Sequence, residues 1–429
     1  MINNKLALLN GPKHIKKRFK KYKSIGIEEK KAALKVLNKG VLSDFLGEKD
    51  IKFYGGEQVQ RFERYIEKYF NVKHAITTNS WTSGLVAAVG AIGIEPGDEV
   101  IVTTWTMCAT ATAILHWNAI PVFADIKEDT YTIDPKSIEK NISKYTKAIM
   151  AVDIFGHSAD MDEINKIAKK YKLKVISDTA QAPGVYYKNS YAGTLADIGG
   201  FSLNCHKHIN TGEGGILITN NDKYAERLRL IRNHAEAVVS DNINNYTPNM
   251  LGHNFRLGEI ESAIGIEQFK KLKSKVKRRQ QIANLLSKEL KKLKGIQTPI
   301  IKKNCSHAFY IYAIKIDESI IGVKKDLIFK ALQAEGIENI LDNYFNLHLL
   351  PIFQKKFAYG TKGFPWKYSF VKREVSYKKG ICPTAEMLNK KKLILLELCV
   401  HEYSNKDVML VIDCFKKVWK NLDNLKKFS

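Results

Sequence analysis

Between about residues 50 and 290 the chain alternates short apolar, β-rich runs with longer amphipathic stretches. This alternation constrains its fold more than any other feature. The runs include Glu99–Thr103, Pro121–Asp125, Ala148–Val152 and Lys174–Ser177. Their nearly continuous apolar character suits strands covered on both faces. Between such runs lie Val59–Tyr69, Asp162–Tyr171 and Asp222–Arg232, where apolar residues recur at helical spacing. Strand–helix alternation implies an α/β architecture with a mostly parallel sheet. Ligands of such sheets bind beyond the carboxyl ends of the strands.

The flanks read differently. Residues 1–50 form an N-terminal arm, with a lysine-rich helix near Glu28–Asn38 that stops at Gly40-Val-Leu-Ser43. A large domain is expected over residues 51–290, ending in a long helix near Gly258–Glu289. A smaller α+β domain is expected over 291–429. It contains a strand at Ala308–Ile316, a helix at Lys325–Glu335 and a terminal amphipathic helix at Val408–Leu422. Residues 343–384, rich in aromatics, Gly and Pro, read as a long surface loop. A chain of 429 residues accommodates this division.

Composition narrows the class of partner. No run of 18 or more apolar residues suggests a spanning helix, and the N-terminus lacks the apolar core of a signal peptide. The six cysteines are scattered without C-x-x-C spacing, which supports neither zinc nor a disulfide framework. A reducing cytoplasm is the simplest compartment. Lys and Arg outnumber Asp and Glu by 69 to 44, a net charge of +25. Nucleic acid is one reading of that excess. Yet the lysines are spread over many helices, as in Lys270–Arg279, where they form solvated faces, and the recognised nucleic-acid motifs are absent. Neither a nucleic acid nor a membrane is therefore expected as a partner. A basic field would still attract an anionic substrate.

Two stretches carry chemistry. One is Ile176-Ser-Asp178-Thr-Ala-Gln181-Ala-Pro-Gly184; the other is Phe201-Ser202-Leu-Asn-Cys-His-Lys207, which leads into the glycine turn Thr211–Gly215. Asp178 and Lys207 each sit just past an apolar strand. An acid, an amide, a serine and then a lysine on one α/β frame are what a pyridoxal phosphate site needs. The lysine forms a Schiff base, and the acid keeps the pyridine nitrogen protonated so that the ring withdraws electrons. Taken singly, each residue has a plainer reading. Asp178 could be a helix N-cap, Gln181 a surface amide and Ser202 a strand-end hydroxyl. Thr78-Asn-Ser-Trp-Thr82-Ser83-Gly84 follows a strand at Ala75–Thr77 and opens a helix expected at Leu85–Ile92. Hydroxyls and N–H groups there suit either a phosphate or an ordinary cap.

Together these motifs resemble the DegT/DnrJ/EryC1/StrS family of sugar aminotransferases, which are pyridoxal-phosphate enzymes of fold-type I. The resemblance begins at Tyr54–Glu63 and continues through Gly97-Asp-Glu-Val100 and Phe155–Asp162. It then takes in Gly252-His-Asn-Phe-Arg256 and Ala263–Gln268. It implies Lys207 as the Schiff-base lysine and Asp178 as the partner of the pyridine nitrogen. Gln181 would lie near the ring oxygen, and Thr82, Ser83 and Ser202 near the phosphate. Asn254 would reach the phosphate in a neighbouring subunit, making the active sites of a homodimer shared. The amino donor would be L-glutamate or L-glutamine.

The chain departs from the family pattern in places. Trp81 stands where Gly is usual, Pro183 where His is frequent, and Met107 where an aromatic stacks on the ring, so Trp105 is a candidate for that face. His307, Tyr310 and Tyr312 match a stretch that often lies near substrate, although all three suit a strand equally. Relatives with His in place of the lysine are sugar dehydratases; Lys207 disfavours that branch, although His206 and His208 flank it. Family breadth favours a nucleotide-linked keto sugar as acceptor. Leu6–Pro12, Gly363-Phe-Pro-Trp366 and Cys382–Glu386 resemble instead the subgroup that aminates keto-cyclitols or an aminohydroxybenzoate precursor. A non-catalytic regulatory relative is the remaining reading, motivated by the basic charge and opposed by the intact lysine and acid.

Overall fold

The computed structural model describes residues 5–47, 50–235 and 251–428. Residues 1–4, 48 and 49 of the expected arm lie outside the described residues. The strand–helix alternation becomes one large sheet. Its strands begin with β1 (His74–Thr78), β2 (Glu99–Thr103), β3 (Ile120–Ala124), β4 (Thr146–Val152) and β5 (Lys174–Asp178). A small hairpin, β6 (Tyr186–Tyr187) and β7 (Ser190–Tyr191), precedes β8 (Ile198–Ser202) and β9 (Gly215–Thr219). The seven strands of the sheet lie in the order β1-β9-β8-β5-β4-β2-β3. Pairing is parallel from β3 through β2, β4 and β5 to β8; β9 runs antiparallel to both β8 and β1. Every residue of β2 and β3 is buried, which is why those runs show no polar alternation.

Helices α1 (Ile27–Lys39) and α2 (Glu57–Phe70) come before the sheet, and α3 (Trp81–Ala91), α4 (Cys108–His116), α5 (Pro135–Asn141) and α6 (Met161–Tyr171) connect its strands. Then follow α7 (Asp222–Arg232) and the 32-residue α8 (Glu259–Leu290). In α2 the residues Val59, Phe62, Ile66 and Phe70 form the buried stripe, at the three-and-four spacing of one helix face. Helix α3 starts four residues earlier than expected. The Ser80 hydroxyl accepts the Ser83 N–H and caps the helix there, so Trp81 and Thr82 lie in its first turn.

A second sheet forms from β10 (Ile296–Gln297), β11 (Ile311–Ile316), β12 (Ile340–Leu341) and β13 (Leu393–Glu397), in the antiparallel order β10-β11-β13-β12. Around it lie α9 (Glu318–Ile321) and α10 (Lys325–Ala334). Strand β11 begins later than the expected Ala308. The Ala308 N–H donates to Gly156 O instead, and Phe309 takes a positive φ of 51°.

The expectation of a surface loop over 343–384 is overturned. This segment contains α11 (Pro351–Gln354) and runs into α12 (Pro383–Met387), and it packs onto the large sheet. Phe353, Trp366, Tyr377 and Cys382 are buried in the same core as β2 and β3. The Tyr377 hydroxyl donates to Pro121 O at 2.8 Å and accepts from Trp366 Nε1 at 2.9 Å. Arg373 places both Nε and Nη2 at 2.7 Å from the Glu99 carboxylate. The aromatics of this stretch are core residues held without long regular elements, so no hydrophobic period marked them as such. The chain closes with α13 (Asn405–Lys420) and α14 (Leu422–Lys426); the expected single terminal helix is broken at Asn421. Among the described residues, no helix is long and apolar enough to cross a membrane.

Candidate active site

A cleft of about 400 Å³ opens beyond the carboxyl ends of the large sheet's strands. Thr82, Met107, Asp178 and Ser202 line it from the ends of β1, β2, β5 and β8, and Lys207 projects from the turn after β8. Tyr310, Leu341 and Glu397 close it from the second sheet. The position is the one that an open α/β sheet offers to ligands.

Asp178, the last residue of β5, is 3% exposed and held by three donors. Its Oδ1 accepts from Trp81 Nε1 at 2.7 Å and from the Ala180 N–H at 3.2 Å. Its Oδ2 accepts from the Thr110 hydroxyl at 2.8 Å. A buried carboxylate persists only with such partners. The Lys207 amine lies 4.4 Å from the centroid of the Tyr310 ring. Burial pulls its pKa down to about 8, against an upward pull from the Asp178 charge.

The other expected residues divide. Gln181 lines the cleft, but its amide is already used: Oε1 accepts the Phe155 N–H at 2.7 Å and Nε2 donates to the Tyr344 hydroxyl at 3.2 Å. Met107 is 67% exposed at the head of α4 and faces the cleft. Thr82 is exposed in the first turn of α3, where unpaired helix N–H groups favour an anion. Ser83 lies in the same turn, with its hydroxyl donating to Asn79 Oδ1 at 2.7 Å rather than into the cleft.

Trp105 does not form a cleft wall. Its side chain is fully buried, Nε1 donates to Asn346 Oδ1 at 2.7 Å, and its ring lies among Tyr131, Phe155 and Tyr344. The chain turns after β2 so that Trp105 points into the core and Met107 outward. His307 is likewise withdrawn. It stacks on Phe309 at 4.0 Å, and its Nδ1 accepts the Phe309 N–H. Burial drives its pKa well below the usual imidazole range, so it stays neutral. Tyr312 is buried, and its hydroxyl meets that of Ser287 on α8. Asn254 is absent from this chain's own cleft; its carbonyl accepts from Asn79 Nδ2 at 3.4 Å.

Thr110, Tyr344 and Glu397 line the cleft although the sequence reading did not single them out. Thr110 lies one turn into α4, and Tyr344 lies in the segment read as a loop, so neither carried a local signal. Glu397 ends β13 and faces the cleft half-buried, with its pKa raised by burial and pulled back by His206.

The residues present fit pyridoxal phosphate. An amine and a carboxylate share one cleft, a helix N-terminus with hydroxyls offers an anion site beside them, and the exposed Met107 leaves an apolar face. Comparison with known proteins agrees. The model of the DegT/DnrJ/EryC1/StrS aminotransferase family matches residues 40–384. The chain is 33% identical over 360 residues to the spore coat polysaccharide biosynthesis protein SpsC of Bacillus subtilis, covering 82% of this chain and 89% of that one. It is 36% identical over 293 residues to the UDP-4-amino-4,6-dideoxy-N-acetyl-beta-L-altrosamine transaminase of Campylobacter jejuni, covering 67% and 76%. The structure of Helicobacter pylori PseC, an aminotransferase involved in the biosynthesis of pseudoaminic acid, is similar with a TM-score of 0.76 and 28% identity, over 94% of this chain and 99% of that one. The chain belongs to the DegT/DnrJ/EryC1/StrS family and is a pyridoxal-phosphate-dependent aminotransferase.

Proposed function

We propose that this aminotransferase moves an amino group from L-glutamate or L-glutamine to an anionic, nucleotide-linked keto sugar. It would work in the cytoplasm, as a homodimer with shared sites. The observation that carries the reading is the meeting of Lys207 and Asp178 in one cleft beside the N-terminus of α3. The names of the relatives from Bacillus and Campylobacter support a sugar acceptor for polysaccharide or glycan synthesis.

When bound, the cofactor supplies an electron-withdrawing ring that accepts the electron pair left on the substrate carbon. The chain's residues do the rest. Asp178 would face the ring nitrogen and keep a proton on it. Lys207 would hold the cofactor covalently and, once free, would carry a proton between the substrate Cα and the cofactor's C4′. An amine with a pKa of about 8 is partly neutral near physiological pH, as a base of this kind requires. Thr82 and Ser202 would hold the phosphate, with Ser83 after its hydroxyl turns from Asn79 Oδ1 and with Asn254 from the neighbouring subunit. Gln181 would lie toward the ring oxygen, its amide held by the Phe155 N–H and the Tyr344 hydroxyl, and Met107 would cover one ring face. The net charge of +25 concentrates an anionic acceptor near the protein.

The test is the visible spectrum of the protein with pyridoxal phosphate, before and after L-glutamate, for the wild type and for Lys207→Ala. The wild-type band should bleach. The variant should retain cofactor and react roughly 10²–10⁴-fold more slowly, the usual contribution of a general acid–base residue. A wild type that binds no cofactor would sink the reading. A panel of keto sugars and keto-cyclitols then identifies the acceptor, and turnover of a cyclitol alone would favour the aminohydroxybenzoate-type subgroup. Loss of water without nitrogen transfer would indicate a dehydratase.

A further inference from the structure

Trp81 stands in the first turn of α3 with its side chain buried, 6% exposed. The indole occupies a slot made by two glycines. A Cβ on Gly200 of β8 would come within 2.2 Å of the indole Cζ3, and one on Gly84 of α3 within 2.8 Å of its Cε3. Gly200 is also the register partner of Asp178 across the β5–β8 pair. The indole therefore lies where the neighbouring strand and its own helix both omit a side chain, and from there its N–H reaches Asp178 Oδ1 at 2.7 Å.

A carboxylate offers about four lone-pair directions. Three are taken here, by the Trp81 N–H, the Ala180 N–H and the Thr110 hydroxyl. The two Oδ1 donors and the single Oδ2 donor fix the carboxylate plane and leave one direction, on Oδ2, for an incoming N–H donor. We propose that Trp81 is a positioning residue for Asp178, orienting its carboxylate so that the free Oδ2 direction meets the cofactor's ring nitrogen. The proposal rests on the reading of Asp178 as the partner of that nitrogen. Hydrogen bonds to a charged group hold more strongly than neutral ones, so one such contact is enough to set the orientation of a buried side chain.

Trp81→Phe removes the N–H while keeping an aromatic ring in the slot. Asp178→Asn serves as the reference. Three quantities are read for each holoenzyme: the dissociation constant for pyridoxal phosphate, the pH midpoint of the visible band of the lysine-bound cofactor, and the rate of the L-glutamate half-reaction. Trp81→Phe should weaken cofactor binding about tenfold, move the midpoint by at least about half a pH unit, and slow the half-reaction in the same direction as Asp178→Asn but less. Urea unfolding of both variants separates these effects from loss of fold, because a purely structural Trp81 would lower the unfolding midpoint and leave the pH midpoint in place. If Trp81→Phe proves too unstable to purify, incorporation of benzothienylalanine at position 81 replaces N–H by sulfur at nearly constant shape and is held to the same expectation.

The proposal is overturned if Asp178→Asn shifts the pH midpoint and the N–H-deleted protein does not. It is also overturned if removing the N–H tightens cofactor binding, which would mean that the indole competes for the carboxylate. If Asp178→Asn itself leaves the midpoint and the half-reaction unchanged, the assignment of Asp178 fails, and Trp81 as its positioner fails with it.

Discussion

Lys207 sits where two opposing effects set its charge. Burial favours the neutral amine and brings its pKa to about 8, while the Asp178 carboxylate favours the cation. Below that pKa the neutral, nucleophilic fraction grows about tenfold per pH unit, and above it the fraction saturates. Covalent attachment of pyridoxal phosphate to the cofactor-free protein should therefore accelerate steeply from pH 6 to 7 and level off above about 8, as followed by stopped-flow absorbance. A rate that keeps rising to pH 10 would mean an ordinary, solvated lysine. Linkage gives the matching sign for stability. The penalty for burying the cation is fully present below about 8 and vanishes above the ordinary value of 10.5, so the cofactor-free protein gains stability between those limits. Lys207 and Asp178 were legible in the sequence because each follows an apolar strand and sits in a distinctive local motif. Trp105 and His307 were equally visible as residues. The direction in which their side chains point depends on turns after β2 and before β11, which no local pattern specifies.

Elements were legible where one period ran long enough. Strand β2 and helix α7 have the bounds that their sequence patterns suggest, whereas the start of α3 was set by the Ser80 cap rather than by its apolar run. The segment 343–384 was misread because its order comes from side chains anchored to a sheet already built. Its most exposed anchor is also its strongest polar one, the two-pronged contact of Arg373 with Glu99, a carboxylate whose side chain is only 2% exposed. Arg373→Met should cost about 1–3 kcal/mol in urea unfolding, since it strands a buried carboxylate that retains the Ser143 hydroxyl at 2.6 Å. Limited proteolysis between residues 355 and 380 should accelerate in parallel. Unchanged proteolysis would show that the apolar anchors Trp366 and Tyr377 hold the segment by themselves.

At the scale of the whole molecule, the cleft is made between two sheets. The large sheet supplies Lys207, Asp178 and the anion-binding turn, and the second sheet supplies Tyr310, Leu341 and Glu397 across from them. Asn254 lies away from this chain's own cleft, and the proposal places it in a neighbouring subunit's site. The proposed sharing of sites makes a direct prediction. Lys207→Ala and Asn254→Ala should each be impaired alone, while mixing them under subunit exchange should restore activity. A heterodimer then holds one site with both native residues, so an equal mixture should regain about a quarter of the native sites by random pairing. Activity no greater than the average of the separate variants would show that each site is complete within one chain.

The sequence by itself determined the α/β architecture, the order of most strands and helices, and the pairing of an acid with a lysine that marks pyridoxal-phosphate chemistry. Those properties are written in local periodicity and in short motifs, which survive without knowledge of distant contacts. Tertiary structure alone decided that Trp81 reaches Asp178 through a slot left by Gly84 and Gly200. It alone withdrew Trp105 and His307 from the cleft, folded residues 343–384 onto the large sheet, and brought Thr110, Tyr344 and Glu397 to the site. Each of these is a contact between residues far apart in the chain, fixed by the close packing of the two sheets and the segments around them rather than by any pattern along it.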